Sequence, residues 1–306
     1  MGTPDFAVKT LDAIYKAGHE IVLVVTQPDK PKGRSGKLQM SDVKQYALEH
    51  GLEVYQPERV KEPEAVSRLK ECRPGLIVAA AFGQILSRDI LDIPEKGCIN
   101  VHASLLPRLR GASPIQTAIL EGDETTGVTI QLMGEGLDTG DILAQRSIPI
   151  DKDDTGGSLF DKLAALGAEL ASETIEGISS GEIRGIPQDE SLATYARKID
   201  KSMGHIDWSR DAAEISRMIR ALNPWPSAYT YLDGKLLKIW KAHEGSGTSS
   251  ESGMVTGVTK DAVTVSCGSG SLILEEVQLE GKKRMSVHDF LLGAGIDKGY
   301  KFTEMR

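Results

Sequence analysis

Apolar residues in the first half of the chain fall into short β-rich runs, separated by stretches in which they recur every three or four positions. The runs Ile21 to Thr26, Leu76 to Ala81 and Cys98 to His102 predict strands. The periodic stretches predict helices at about Pro4 to Ala17, Asp42 to Glu49, Pro63 to Glu71, from Ser87, and at Ser113 to Leu120. Near-continuous apolar strands alternating with helices need cover on both faces, which is the pattern of a parallel sheet. The expected class is therefore α/β, with an open, Rossmann-like, mostly parallel sheet and helices on both faces. The first helix follows Gly2 and Thr3 directly, so the strand that should open the first βαβ unit is expected to be absent.

Farther along, Val128 to Met133 and Ile142 to Ile150 read as strands joined by Gly134 to Asp141, and a long helix is expected from about Thr155 to Ser179. The polar stretch to Asp200, with Gly185 and Pro187, predicts an irregular connection. A short helix, Ala212 to Leu222, then precedes short strands with turn signals at Asp233-Gly234, Gly245 to Gly253 and Cys267 to Gly270, as in a small β-barrel. The expected organisation is an α/β domain over 1–181, a linker over 182–200 and a second domain over 201–306.

Composition excludes several classes. At 306 residues, 40% hydrophobic and 26% charged, the chain has the material for two packed domains and not for a disordered or fibrous protein. Its net charge is -8, which argues against a general nucleic-acid binder, but the charge is uneven: up to Asp200 the net is -9, and after it +1. Three widely spaced cysteines suit neither a disulfide framework nor a zinc cage, and the six histidines form no metal-spaced pair. No metal is expected. With no apolar run near the ~20 residues of a membrane span, a cytoplasmic protein without a membrane partner is expected, most simply a monomer.

Candidate chemistry lies in two segments. In the run 98–107, Asn100 and His102 share one side of a strand by its period of two, near the carboxyl end where open α/β sheets place ligands. The plainer reading is an amide and an imidazole satisfying backbone groups. In the loop 134–141, three glycines and three carboxylates could bring one carboxylate against an imidazole, or simply make a solvated acidic turn. A G-x-G-x-x-G fingerprint, a phosphate loop and a nucleophile elbow are all missing.

Asn100-x-His102 followed by Ser104-Leu-Leu-Pro107, with Gly136-Leu-Asp138-Thr-Gly-Asp141 downstream, resembles the folate-dependent formyltransferase family. Further matches are Gly2-Thr-Pro-Asp-Phe6, Thr26-Gln-Pro-Asp29, Arg110-Gly111-Ala112-x-Pro114-Ile115 and Asn223-Pro-Trp-Pro226, so the resemblance spans essentially the whole chain. It implies a catalytic trio of Asn100, His102 and Asp138 and a C-terminal OB-like barrel. The formyl donor would be 10-formyltetrahydrofolate, contacted by Ser104, Leu105, Leu106 and Pro107, with the pterin near Phe82, Gly83, Gln84, Ile85 and Leu86. On this reading Asn100 donates to the developing oxyanion; His102 either adds positive charge or relays the amine proton; Asp138 orients His102.

The resemblance also bears on the acceptor. Lys30, Lys32, Arg34 and Lys37 put four cations into eight residues with two glycines between them, which alone reads as a solvated basic loop. In the branch of the family that it resembles most, the matching loop meets the acceptor stem of initiator methionyl-tRNA, so these residues are expected to contact tRNA. Relatives that formylate a nucleotide-linked aminosugar, or that release formate, share the trio without needing that loop. A non-catalytic tRNA-binding protein on the same fold is the alternative from another class.

Overall fold

The computed structural model describes residues 1–32, 37–247, 251–293 and 295–302. The chain divides into two compact units. The first comprises Met1–Pro114, Thr125–Pro149 and Phe160–Ala196; the second comprises Ile115–Glu124, Ile150–Leu159 and Arg197–Arg306.

In chain order the first unit is built from helix α1 (Asp5–Lys16), strand β1 (Val24–Val25), strands β2 (Lys30–Lys32) and β3 (Lys37–Gln39), helix α2 (Asp42–Glu49), strand β4 (Val54–Tyr55) and helix α3 (Pro63–Glu71). Strand β5 (Ile77–Ala80), the short helix α4 (Arg88–Leu91), strand β6 (Cys98–His102) and strand β7 (Arg110–Gly111) follow. Helix α5 (Pro114–Glu121) falls mainly in the second unit; β8 (Thr125–Leu132), β9 (Ile142–Pro149), most of helix α6 (Gly156–Ser180) and β10 (Tyr195–Ala196) return to the first. Local chemistry sets several of these limits. Ser41, in extended conformation, caps α2 by accepting from the Lys44 amide at 3.1 Å, a contact worth about 1 kcal/mol.

The central sheet is mixed, where the sequence pattern suggested a mostly parallel one. Strands β1 and β4 pair in parallel, as do β5 and β6, but β6–β8 and β8–β9 are antiparallel, giving the order β5-β6-β8-β9. Apolar runs report burial, not strand direction, so the pattern could not separate the two. Nor is the first position empty: the Gly2 amide donates to Val25 O, the Ala80 amide donates to Met1 O, and Gly2 bridges Ala80 in parallel. Met1 and Gly2 thus pair with strand β1 on one side and β5 on the other. The basic stretch, read as a loop, has a short antiparallel ladder at its base, β2 with β3.

Ile99 and Ile130 lie on adjacent strands with no exposed surface, at the core end of the sheet that carries the candidate site. Ile99→Ala is expected to cost about 2 to 5 kcal/mol by deleting buried methylenes, read as a lowered midpoint in urea unfolding.

In the second unit, helix α7 (Ala212–Ala221) buries Ala212, Ile215, Ser216 and Ile219, a spacing of three and four that lays one stripe on the sheet. The strands are β11 (Ala228–Leu232), β12 (Lys235–Gly245), β13 (Val255–Val258), β14 (Val263–Ser266), β15 (Ser271–Leu279) and β16 (Met285–Ser286), closed by helix α8 (Val287–Leu291). All pairings among them are antiparallel, in the order β11-β12-β15-β14-β13 with β16 on β15. Along β12 the buried positions run Leu237, Ile239, Ala242; the three-residue step matches a register shift between Ile239 and Ala242, a bulge that keeps the same face inward.

All three cysteines are free. Cys98 and Cys267 are buried, and burial pushes both thiols up to about 12. A thiol reagent at pH 8 is therefore expected to titrate Cys72 alone in the folded protein and all three cysteines in denaturant.

Candidate functional site

Strand β6 supplies the centre of the site. All of its residues are buried except the half-buried Asn100, and the ladder sets Asn100 opposite Gln131 and His102 opposite Thr129 on β8. With a period of two, Asn100, His102, Gln131 and Thr129 form a polar patch on one face of an otherwise apolar sheet. Such a patch is expensive unless each group is bonded. Thr129 meets this fully: its hydroxyl donates to Ser104 O at 2.7 Å and accepts from the Leu106 amide at 3.0 Å and from Gln145 Nε2 at 2.9 Å. Asn100 does not. Its side chain is half-buried and, among the described residues, bonds to no other group of the protein.

His102 is 6% exposed and lies between two acceptors. Nε2 donates to Leu109 O at 3.0 Å, since a carbonyl can only accept, and Nδ1 faces Asp138 Oδ1 at 3.7 Å. Leu109 reaches this place because the chain after β6 turns back sharply. The Ser104 hydroxyl donates to Arg108 O at 2.6 Å, and Leu109 takes a left-handed φ of 58°.

Asp138 comes from the loop between β8 and β9. Its carboxylate accepts from the Gly111 amide at 2.8 Å through Oδ2 and from Gln131 Nε2 at 2.9 Å through Oδ1. Its own φ is 52°, a conformation that costs a non-glycine residue about 1 to 3 kcal/mol and persists only where the surroundings impose it. Gly140 belongs to the same fixation: a Cβ there would stand 1.6 Å from Leu132 O. Gly140→Ala is expected to open the loop, seen as a lowered melting temperature together with loss of activity.

The residues expected to meet a folate form two groups. Leu106 is buried and tied through its carbonyl to Gln145 Nε2 at 2.6 Å, and the Ser104 hydroxyl is spent on the turn, while Leu105 and Pro107 are half-buried. After β5, Phe82 and Leu86 are buried anchors; the Phe82 carbonyl accepts from Thr3 Oγ1 at 3.0 Å and Gln27 Nε2 at 2.9 Å. Gln84 accepts from the Val60 amide at 2.7 Å. Between these anchors Gly83 takes φ 78° and Ile85 stands 84% exposed, an apolar side chain held out on a fixed backbone.

Of the basic residues, Lys30 lies on β2, and the backbones of Lys32 and Lys37 on β2 and β3; Arg34 and the side chains of Lys32 and Lys37 lie outside the described residues. Asp29, the acid beside them, is held below the usual carboxylate range by hydrogen bonds from Lys44 and Gln56. Its ion pair is with Lys44 at 2.7 Å, so it leaves Lys30 without an ionic partner among the described residues.

Sequence reasoning missed Gln131 and Thr129, polar residues at buried strand positions, which was a usable signal, and Gln145, which is exposed on its strand and carries no such signal. It also missed Gln188, in the stretch read as an irregular connection.

A family profile described as "Formyl transferase" matches residues 1–175, and one described as "Formyl transferase, C-terminal domain" matches 198–295. The chain belongs to the formyl transferase family. A methionyl-tRNA formyltransferase of Agathobacter rectalis is 52% identical over 304 residues, covering 99% of this chain and 98% of the relative. One of Caldanaerobacter subterraneus is 49% identical, covering 98% of this chain and 97% of the relative. Among solved structures, an N-formyltransferase from Helicobacter canadensis in complex with folinic acid and dTDP-3-aminofucose superposes with a TM-score of 0.66 at 21% identity, covering 89% of this formyl transferase and 96% of that chain. At that identity the likeness speaks for the fold.

Proposed function

We propose that this chain transfers the formyl group of 10-formyltetrahydrofolate to the amino group of methionine on initiator tRNA. Relatives about 50% identical over nearly the full length, all named methionyl-tRNA formyltransferase, support the reaction and its acceptor. One structural observation carries the assignment of the site: the unbonded amide of Asn100 beside His102, which is itself fixed by Leu109 O and Asp138.

The donor fits the residues present. A flat, mostly apolar ring system suits the exposed Ile85 on the rigid backbone between Phe82 and Leu86, with the 104–107 turn across the end of β6. When bound, the folate supplies an electrophilic formyl carbon on a nitrogen able to leave. The neutral methionine amine attacks that carbon; a new C–N bond forms, the bond to the folate nitrogen breaks, and one proton moves from the incoming amine to the leaving nitrogen. Asn100 donates a hydrogen bond to the formyl oxygen as negative charge builds there. His102, with Nε2 donating to Leu109 O and Nδ1 toward a carboxylate, is held on the same strand face as Asn100, where it either adds positive charge or relays the amine proton. Asp138 orients the ring. No protein nucleophile takes part.

The basic residues Lys30, Lys32, Arg34 and Lys37 suit a phosphate backbone, and Lys30 is not neutralised by Asp29. The division into a catalytic domain over 1–181, a linker over 182–200 and a tRNA-binding, OB-like domain over 201–306 belongs to this reading, as does a monomer acting in the cytoplasm, where charged initiator tRNA is found.

Incubation with labelled 10-formyltetrahydrofolate and methionine-charged initiator tRNA, beside a parallel tube with a nucleotide-linked aminosugar, tests the acceptor. Formylmethionine on the tRNA alone is expected; label on the sugar alone would refute the reading.

A further inference from the structure

Gln188 follows α6 in a stretch with little regular structure, yet its side-chain amide bonds to two backbone carbonyls of the Asp138 loop. Nε2 donates to Asp138 O at 2.8 Å and to Gly140 O at 2.7 Å, and approaches Gln131 Oε1 at 3.4 Å. Oε1 accepts from Arg110 Nη2 at 2.8 Å and Nε at 3.1 Å. Arg110 has no exposed surface, and its guanidinium is also held by Glu190, through Nη1 and Nη2, at 2.8 Å. The same stretch is tied down on both sides: Ile186 bridges Ile142, and β10 pairs in parallel with β7, the strand that contains Arg110 and Gly111.

These contacts converge on one backbone position. Asp138 holds a left-handed φ of 52° without being glycine, and its carboxylate is aimed by Gly111 and Gln131 only while the backbone stays in that conformation. Both hydrogens of one amide group, given to the carbonyls of residues 138 and 140, span the strained turn, while the oxygen of that amide is anchored to a buried arginine. A carboxamide supplies two donors and an acceptor in this geometry; a carboxylate supplies acceptors alone.

We infer that Gln188 is a positioning residue for formyl transfer: it fixes the backbone of Asp138, and through Asp138 the ring of His102. This rests on the role given to Asp138 above. Placement errors of this kind act on the chemical step and not on binding.

Two variants of the full chain test the inference. Gln188→Ala removes the whole tether. Gln188→Glu keeps an acceptor for Arg110 but has no hydrogen for the two carbonyls. Both are expected to lower kcat about tenfold or more, with KM for the formyl donor and for methionyl-tRNA within about twofold of wild type. The ¹⁵N signals of the His102 ring at fixed pH are expected to move in both, because the carboxylate opposite Nδ1 shifts. If Gln188→Ala fails to fold, Gln188→Glu decides. Wild-type kcat with unmoved ring signals in Gln188→Glu would overturn the inference, as would a loss confined to KM. If the wild-type protein transfers no formyl group at all, the proposed function fails, and the His102 signals still decide whether Gln188 sets the ring.

Discussion

Asn100→Ala is expected to lower kcat for formyl transfer about 10²- to 10³-fold, with KM for the formyl donor and affinity for tRNA nearly unchanged. The size follows from what the side chain does not do. Among the described residues Asn100 bonds to no protein group, so its removal leaves no buried partner unsatisfied and opens no core cavity; only a donor to the oxyanion is lost. A donor that strengthens its bond as charge develops acts on the transition state, which separates kcat from KM. Asn100→Asp should be at least as damaging, since it places an acceptor where a donor is needed. Steady-state kinetics with both substrates varied, beside a tRNA-binding measurement, check the prediction; an unchanged kcat in the alanine variant would remove Asn100 from the reaction.

Asp138→Asn is expected to lower kcat by about 10²- to 10⁴-fold while leaving the melting temperature almost unaltered. Both carboxylate oxygens now accept, from the Gly111 amide and from Gln131 Nε2. The Gly111 amide cannot turn, so the oxygen of the new asparagine must stay with it and its NH2 must face Gln131. Gln131 can meet that group by turning its own amide, which gives up only the long 3.4 Å approach from Gln188 Nε2. The Nδ1 of His102, 3.7 Å from Asp138 Oδ1, would then face a donor in place of a carboxylate. With Nε2 held by Leu109 O, the ring would lose the carboxylate that orients Nδ1 and keep only one of its two fixed partners. Kinetics and thermal unfolding on one preparation check both halves of the expectation.

Much of this was legible from residue order because strands and helices have fixed periods. Strand Cys98–His102 and helices Asp42–Glu49 and Pro63–Glu71 fall where the pattern placed them, each bounded by a change of period or a capping residue. The side-by-side placement of Asn100 and His102 needs nothing beyond the alternation of a strand. Asp138 is different. Its approach to His102 depends on a left-handed backbone and on contacts 27 and 50 residues away along the chain, from Gly111 and Gln188, which no local pattern encodes. Resemblance to known relatives, and not periodicity, singled it out. Strand Val54–Tyr55 is two residues long and too short to show a period, and the ladder Lys30–Lys32 with Lys37–Gln39 hid behind lysine, proline and glycine, which read as loop. The antiparallel half of the sheet was missed for a further reason: β8, buried along nearly its whole length, looks the same whichever way it runs, while β9 has no buried residue and alternates towards its end between exposed and half-buried positions.

The account stands most directly on where the formyl group goes. In a rapid-quench single turnover with formyl-labelled donor and methionyl initiator tRNA, label is predicted to pass from folate to formylmethionine on the tRNA in one phase, with none on the protein at any time. Label appearing first on the protein, or leaving as formate while the tRNA stays unlabelled, would contradict it.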